Sequence, residues 1–225
     1  MSEFSLKSKE EIRAHRHGRA IGQVVGENVA LKHLYLDAEA RSQMEQKQRI
    51  AAEKRADTDS LTGLLSRDKL LTSLDELLSH SKHVGILFLD ADKFKGVNDT
   101  FGHSGGDTVL KEIGRMLTET LRESDTAGHF AGRYGGDEFV AVLDLTPSGN
   151  DKRGYKELTD SQRLVATATR VQNAFDTYIA LDLNLQQVGF GMSVGALLYE
   201  PGMNAEQLLD KADQQMYAAK QLKKV

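Results

Sequence analysis

The spacing of hydrophobic residues divides the chain into two regions of different character. Residues 7–56 contain no proline and are rich in Glu, Gln, Lys, Arg and Ala, which favour helices. Small and apolar residues recur there at intervals of three and four, as in a helix that pairs with another helix. These positions are Ile21, Val24, Asn28, Leu31, Tyr35 and Ala38. We therefore predict a helical dimerisation or signalling stalk over residues 1–56. Because the pattern fades after Ala38, a solvated connector helix is the alternative.

From residue 57 onward, short patterns with helix and strand periodicity alternate. Residues 57–60, Asp-Thr-Asp-Ser, supply cap and turn residues that end the first helix. Residues 84–89 form a continuous apolar run, which predicts a strand buried on both faces. The elements follow in the order α-β-α-β-β-α-β-α, and a capping box of Asn204 and Gln207 begins the last helix. This order predicts an α+β domain over residues 57–225, with one mixed sheet flanked by helices.

The composition is that of an ordinary globular protein. The chain has 225 residues, of which 40% are hydrophobic and 28% charged, and its net charge is −4. That charge gives no electrostatic reason to expect nucleic acid or an anionic membrane as a partner. No apolar run approaches the roughly 18 residues of a membrane-spanning helix, and cysteine is absent. We therefore expect a soluble, cytoplasmic protein with no nucleic-acid partner and no membrane segment in this chain.

The first stretch expected to carry chemistry is 133–139, Arg-Tyr-Gly-Gly-Asp-Glu-Phe. Gly135 and Gly136 suit a tight turn with positive φ and leave backbone N–H groups open to a ligand. Asp137 and Glu138 follow directly and lead into an apolar strand. Such a turn can hold a phosphate beside a divalent cation. A hairpin with two solvated acids at its tip is the plainer alternative.

A second acidic stretch favours the ligand-binding interpretation. Asp90 and Asp92 close the buried strand, where residues two apart share a face. If the hairpin strand pairs beside this strand, Asp137 comes close to Asp90. Two converging carboxylates suit Mg²⁺ that also binds substrate phosphates. Phosphoryl-type transfer with two such ions needs little further chemistry from the protein.

Nearby residues suit the remaining parts of a nucleotide. Lys95 offers a point charge to a phosphate, and Asn98 with Asp107 offers donors and acceptors that match guanine. The sequence contains no G-x-x-x-x-G-K-[ST] loop and no G-x-G-x-x-G after a strand. The P-loop and dinucleotide-binding interpretations therefore have no support.

Several segments follow a known pattern together. The main ones are residues 90–103, Asp-Ala-Asp-Lys-Phe-Lys-Gly-Val-Asn-Asp-Thr-Phe-Gly-His, then Gly106-Asp107, and residues 133–139. Supporting segments are residues 59–64 (Asp-Ser-Leu-Thr-Gly-Leu), 193–195 (Ser-Val-Gly), 212–213 (Ala-Asp) and 216–220 (Met-Tyr-Ala-Ala-Lys). In order and spacing, residues 57–225 resemble the GGDEF family of diguanylate cyclases.

The resemblance implies a fold and an activity. The fold is palm-like and related to class III nucleotide cyclases and polymerases. The activity is condensation of two GTP into cyclic di-GMP with release of two pyrophosphates. The implied enzyme is a homodimer whose active sites face each other, with one GTP per subunit. The implied cofactor is Mg²⁺ or Mn²⁺, with two ions per active site.

The resemblance also implies roles for individual residues. The implied metal ligands are Asp90, Asp137 and the carbonyl of Ala91. The residues expected to carry catalysis are Asp137, Glu138 and Lys95. Guanine would contact Asn98 and Asp107. The GTP phosphates would contact Lys95, Lys220, Lys224 and the backbone of Phe94, Gly135 and Gly136.

Two segments depart from the family pattern. The family follows its last helix with Gly-Arg-Asn, whereas this chain has Lys223-Lys224-Val225. Lys224 keeps the charge of an arginine but lacks its bidentate fork. The family's product-binding inhibitory pair, Arg-x-x-Asp, stands five residues before the first signature glycine. Here Arg122 and Asp125 have that spacing, but residues 126–134 separate them from Gly135. They are a candidate inhibitory product site.

Two other functions remain open. The chain could be a catalytically silent module that binds GTP or cyclic di-GMP as a signalling adaptor, although a damaged signature, the usual sign of that class, is absent. It could also be a relative with altered nucleotide choice, against which Asp107 argues. Residues 1–56 cannot bury a ligand cavity alone. We therefore expect the input either from an upstream sensor or from the helix itself, which would pair with a second copy or with a partner protein.

Overall fold

The computed structural model describes residues 57–122, 128–146 and 158–222, together with residues 16, 39 and 41–47. Residues Lys54–Val225 belong to one compact unit. Of the predicted stalk, residues 16, 39 and 41–47 are described, and they are helical and exposed. The predicted pairing positions of the stalk, residues 21–38, lie outside the described residues.

The described part of the compact unit contains five helices and four strands. The helices are α1 (Arg67–His80), α2 (Phe94–Arg122), α3 (Asp160–Leu181), α4 (Leu183–Val188) and α5 (Ala205–Leu222). The strands are β1 (Val84–Asp92), β2 (Phe130–Arg133), β3 (Glu138–Asp144) and β4 (Gly191–Leu198). This is the predicted order of elements, with the short helix α4 in addition. None of the described helices is long and apolar enough to cross a bilayer.

The four strands form one sheet in the order β2-β3-β1-β4. Each neighbouring pair is antiparallel, and an isolated parallel bridge joins Leu65 to Gly132. The predicted α+β fold is confirmed, but the four strands pair antiparallel instead of forming the expected mixed sheet. The reason is that each helical crossover, β1-α2-β2 and β3-α3-β4, joins two parallel strands that have an antiparallel strand between them. This is the split βαβ arrangement.

Strand β1 is buried on both faces, as its apolar run predicts. Leu87 and Leu89 on one face belong to a core cluster that α2 and α3 complete. Ile86 and Phe88 on the other face belong to a second cluster, which α1 and α5 complete. This division follows from the two-residue period of a strand. The central strand thus holds the two layers of helices in place, and its carboxyl end carries the acidic stretch.

A glycine brings the last helix against the sheet. A Cβ atom on Gly195 of β4 would lie 2.4 Å from the Met216 nitrogen and 2.5 Å from the Ala212 carbonyl oxygen. Only glycine permits so close an approach of two backbones. The helix begins at the predicted capping box, since the Gln207 N–H donates to Asn204 Oδ1 at 2.9 Å and the Asn204 N–H donates to Gln207 Oε1 at 3.1 Å. Helix α5 is therefore held closely enough to present Lys220 to the site.

Candidate nucleotide and metal site

The acids of the two motifs meet at the paired ends of two central strands. In the antiparallel register of β1 and β3, Asp90 stands opposite Glu138. The Ala91 N–H donates to the Asp137 carbonyl oxygen at 3.1 Å, which extends the pairing by one residue. The hairpin strand thus lies beside β1, as the approach of Asp137 to Asp90 requires. The register brings together acids that are distant in sequence.

These acids repel one another in a partly buried setting. Burial raises the pKa of Asp137 and of Glu138 above the ordinary values, and the charge of Asp90 raises both further. The pKa of Asp213 on α5 is raised for the same two reasons. Burial is the larger cause, and the charge of Asp90 adds to it. A bound cation would relieve the repulsion. Asp213 was not among the site residues expected from the sequence.

One cation of the chain already contacts this cluster. The Lys220 ammonium donates to Asp90 Oδ1 and lies 3.2 Å from Asp92 Oδ1. Burial alone would lower the pKa of Lys220, but its contacts with Asp90 and Asp92 outweigh burial and raise that pKa. Ser193 Oγ donates to the other oxygen of Asp92 at 2.7 Å. The resemblance implies that Lys220 binds the phosphates of GTP. In this structure its ammonium group is instead paired with the carboxylates of Asp90 and Asp92.

The donor set suits a hard divalent cation. The expected ligands are two carboxylates and a backbone carbonyl, and all of them are oxygen donors. The electrostatics agree, because the charge of Asp90 adds to the raised pKa values of its acidic neighbours and attracts an ammonium group. The described residues contain no group of three or more His, Cys, Asp or Glu side chains arranged to hold a metal ion.

The residues 134–137, here called the signature turn, are held by an arginine. Arg133 Nε and Nη2 donate to the Gly136 carbonyl oxygen at 3.1 and 2.6 Å. Arg133 Nη1 lies 3.3 Å from both carboxylate oxygens of Asp59. Burial would raise the pKa of Asp59, but hydrogen bonds from Thr62 and the nearby Arg133 outweigh it and lower that pKa. The entry to the domain is thus joined to the turn by a satisfied ion pair.

The two glycines of the signature turn leave room for neighbouring atoms and do not adopt a left-handed backbone conformation. The described glycines with positive φ are Gly63, Gly102, Gly128, Gly189 and Gly202, so the prediction of positive φ in the signature turn was wrong. A Cβ on Gly135 would lie 2.4 Å from Glu138 Oε2, whereas one on Gly136 would meet nothing within 4 Å. Gly135 leaves room for the Glu138 side chain, and the backbone at Gly136 stays open to a ligand.

The residues expected to read guanine lie on the two segments of α2, which is broken at Gly102 (φ 72°, ψ 171°). Residues 103–106 are helical, so the helix resumes directly after Gly102. A Cβ on Gly106 would lie 2.0 Å from Asn98 Oδ1 and 3.1 Å from Phe94 Cζ, so the second segment rests against the first. The break thus brings the segment that carries Asp107 next to Asn98.

For four of the predicted site residues, the structure shows little or nothing of their contacts. Lys95 is exposed near the start of α2. Arg122 is the last residue of α2, while its expected partner Asp125 lies outside the described residues. Lys224 also lies outside the described residues.

Two structural features define a class of protein. The sheet is antiparallel and built from split βαβ units, and acids lie at the joined ends of its two central strands beside an open Gly-Gly turn. This is the palm-like fold of nucleotide cyclases, and comparison with known proteins identifies the family. The model of the diguanylate cyclase GGDEF domain matches residues 56–224, so the chain belongs to the GGDEF family.

Curated relatives share the domain and are much longer. The chain is 31% identical over 166 residues to diguanylate cyclase DosC of Escherichia coli (strain K12), a match covering 72% of this chain and 32% of that protein. It is 36% identical over 168 residues to diguanylate cyclase DgcN of the same strain, covering 72% of this chain and 36% of that protein. The chain thus spans about a third of the length of these relatives.

Among solved structures, similarity extends to diguanylate cyclase SiaD from Pseudomonas aeruginosa, solved in complex with its activator SiaC. The identity is 26% and the TM-score 0.60, and the alignment covers 94% of this chain and 76% of that chain.

Proposed function

We propose that this chain is a diguanylate cyclase that condenses two GTP into cyclic di-GMP and two pyrophosphates. Family membership supports the reaction class. The observation that carries the proposal is the β1–β3 register, which sets Asp90 opposite Glu138 and beside Asp137 in an undamaged signature. A silent module would have no need to keep mutually repelling carboxylates together at a partly buried site.

We propose that Asp90, Asp137 and the Ala91 carbonyl hold two Mg²⁺ or Mn²⁺ ions, with Glu138 beside them. When bound, such ions polarise the attacking hydroxyl and neutralise the leaving oxygen. The protein contributes the convergence of the acids: burial raises the pKa of Asp137 and of Glu138, and the charge of Asp90 raises both further. GTP phosphates and water would supply the remaining oxygen ligands.

Nucleotide binding divides between the two sides of the site. We propose that Asn98 and Asp107 read guanine, because an aspartate accepts from its N1–H and its exocyclic amine. The phosphates would contact Lys95, Lys220, Lys224 and the backbone N–H groups of Phe94, Gly135 and Gly136. The open face of Gly136 supports a close approach of phosphate to the turn.

The reaction requires two subunits. Each 3′-oxygen attacks the α-phosphorus of the other subunit's GTP, so two P–O bonds form, two break, and two pyrophosphates leave. We propose that paired stalks of residues 1–56 raise the effective concentration of one site for the other. An upstream sensor or a partner protein would control this pairing. The domain would act in the cytoplasm, where GTP is made.

We also propose product control at Arg122 and Asp125. Arg122 lies at the end of α2, where its guanidinium could take part in binding an anionic dinucleotide. Addition of cyclic di-GMP to the native protein should lower the rate, and Arg122→Ala should remove that effect.

The test of the proposed function is direct. Purified protein is incubated with GTP and Mg²⁺ beside an Asp137→Ala variant, and the nucleotides are separated by chromatography. Cyclic di-GMP from the native chain and not from the variant would support both the cyclase and the role of Asp137. The alternative outcome is that GTP binds but is not converted, even when the protein is forced to dimerise through the stalk. That result would favour the silent module.

A further inference from the structure

We infer that Lys220 is the resident counter-ion of the acidic cluster, and that it must leave Asp90 before a metal ion can bind there. This inference rests on the proposed function, since it concerns how the same site is loaded. Asp92 and Ser193, which are not among the expected ligands, become positioning residues for this lysine.

The contact is a partly buried ion pair. The Lys220 side chain is 24% exposed, and the side chains of Asp90 and Asp92 are 16% and 17% exposed. Charges so far removed from water attract one another more strongly than charges on the surface. The ammonium therefore neutralises part of the cluster when no other cation is bound.

The surroundings hold the ammonium from two sides. Ser193 is the cross-strand partner of Asp90 and donates to Asp92, which fixes the carboxylate that faces Lys220. Helix α5 is set against β4 at Gly195, so the backbone that carries Lys220 has little freedom to retreat. Arg133, the cation of the signature turn, is bound to Asp59 and the Gly136 carbonyl. Lys220 is thus placed for this role by its neighbours.

A metal ion and the ammonium compete for the same oxygen. Asp90 Oδ1 accepts from Lys220 and is also an atom of an expected metal ligand. Two cations at that carboxylate would repel each other, so metal binding requires the lysine to move. The freed ammonium would find its new partner in a GTP phosphate. Metal and nucleotide should therefore bind cooperatively, because the nucleotide stabilises the displaced lysine.

The test measures Mn²⁺ binding to the full chain without nucleotide, by electron paramagnetic resonance of free Mn²⁺. Lys220→Met removes the competing charge, so its affinity for Mn²⁺ should exceed that of the native protein by on the order of tenfold. Lys220→Arg keeps the charge and should bind as weakly as the native protein. Lys220→Gln is a second neutral variant, and thermal melting identifies the variants that are folded.

Lys211→Met is the matched control. Lys211 lies on the same helix, and its ammonium contacts Glu200 at 3.1 Å on the exposed surface. It should leave Mn²⁺ affinity unchanged. Equal or weaker Mn²⁺ binding by the neutral Lys220 variants, or an equal gain in Lys211→Met, would overturn the inference.

A second measurement adds a non-reactive GTP analogue. The analogue should strengthen Mn²⁺ binding more in the native protein than in Lys220→Met, because only the native protein has a lysine to transfer. Equal strengthening in the two proteins would contradict the exchange.

The failure of this inference can be told apart from the failure of the proposed function. If metal binding follows these expectations but the protein makes no cyclic di-GMP, only the proposed activity is rejected. Cyclic di-GMP synthesis with unchanged metal affinities would reject the lysine exchange alone.

Discussion

The two sides of the signature turn treat their carboxylates in opposite ways. On one side, Asp59 is paired with Arg133 and bonded by Thr62, and its pKa is lowered. On the other side, Asp137, Glu138 and Asp213 are partly buried near Asp90, and their pKa values are raised. The first carboxylate has the partners it needs, whereas the second group carries more negative charge than Lys220 can neutralise. The contrast separates a carboxylate that supports the fold from carboxylates kept for a ligand.

The largest expected effect comes from removing a charge on the ligand side. Asp137→Asn should lower cyclic di-GMP synthesis by more than about a hundredfold, since replacing even the outer partners of metal ligands costs 10–100-fold. It should not lower the melting temperature in metal-free buffer, because the change relieves repulsion and keeps the backbone bond to Ala91. The measurements are a nucleotide assay and a melting curve.

The control for this variant is Asp210→Asn, an exposed acid on α5. It should change neither quantity. An Asp137→Asn protein that melts well below the native one would show that this carboxylate is structural after all.

A half-buried histidine just before β2 sharpens the comparison. Burial lowers the pKa of His129 to about 4, and its Nδ1 accepts a hydrogen bond from the Asp144 N–H at 3.1 Å. The unfolded chain binds this proton below its ordinary pKa of 6.5. The stabilisation is therefore complete above pH 6.5 and is lost as the pH falls towards 4, by about 3 kcal/mol.

His129→Asn keeps an acceptor for Asp144 but cannot titrate, so this part of the pH dependence should disappear. Chemical denaturation of both proteins at several pH values provides the measurement. Parallel pH profiles for the two proteins would show that another group is responsible.

Removal of residues 1–55 tests the stalk. We expect activity to fall by about tenfold when the protein is dilute and by little when it is concentrated, because pairing supplies effective concentration and no catalytic group. Activity of the native and shortened chains is measured over a dilution series. The same specific activity at every concentration in both chains would contradict a pairing stalk.

The smallest effect should come from the side of the signature turn where Asp59 is paired with Arg133. Asp59→Asn should lower the free energy of unfolding by about 1 kcal/mol near neutral pH, the usual value of one such interaction. The stabilisation by the ionised form is present above the ordinary pKa of 3.8 and is lost as the pH falls through the lowered folded value. The native and variant proteins should therefore converge in acid.

Lys69→Met is the comparison for this effect. Its pair with Asp57 spans 3.3 Å between two more exposed side chains, so the change should be close to zero. A larger loss in Lys69→Met than in Asp59→Asn would reverse the proposed order of these two ion pairs.

The features that could be predicted from the sequence are those that depend on interactions between residues close together in the chain. The buried strand, the amphipathic helices and the Asn204–Gln207 box depend on residues close in sequence, and all of them appear in the structure. The Asp59–Thr62 turn has a local signal as well, because the carboxylate accepts from Thr62 three residues on.

Distant pairings account for what the sequence did not show. Lys220 and Asp90 are 130 positions apart, and Arg133 and Asp59 are 74 apart. The choice of neighbouring strands is also non-local, which is why the crossovers became split and the sheet antiparallel. Lys93, with φ of 59° at the end of β1, carries no glycine-like signal that would reveal its left-handed backbone.

The most direct measurement of the central claim is a crystal structure with Mn²⁺ and a non-reactive GTP analogue, in which anomalous scattering locates the metal. We predict anomalous peaks bounded by Asp90, Asp137, the Ala91 carbonyl and the nucleotide phosphates. Nucleotide bound at this site with manganese elsewhere, or with no manganese near Asp90 and Asp137, would contradict the account.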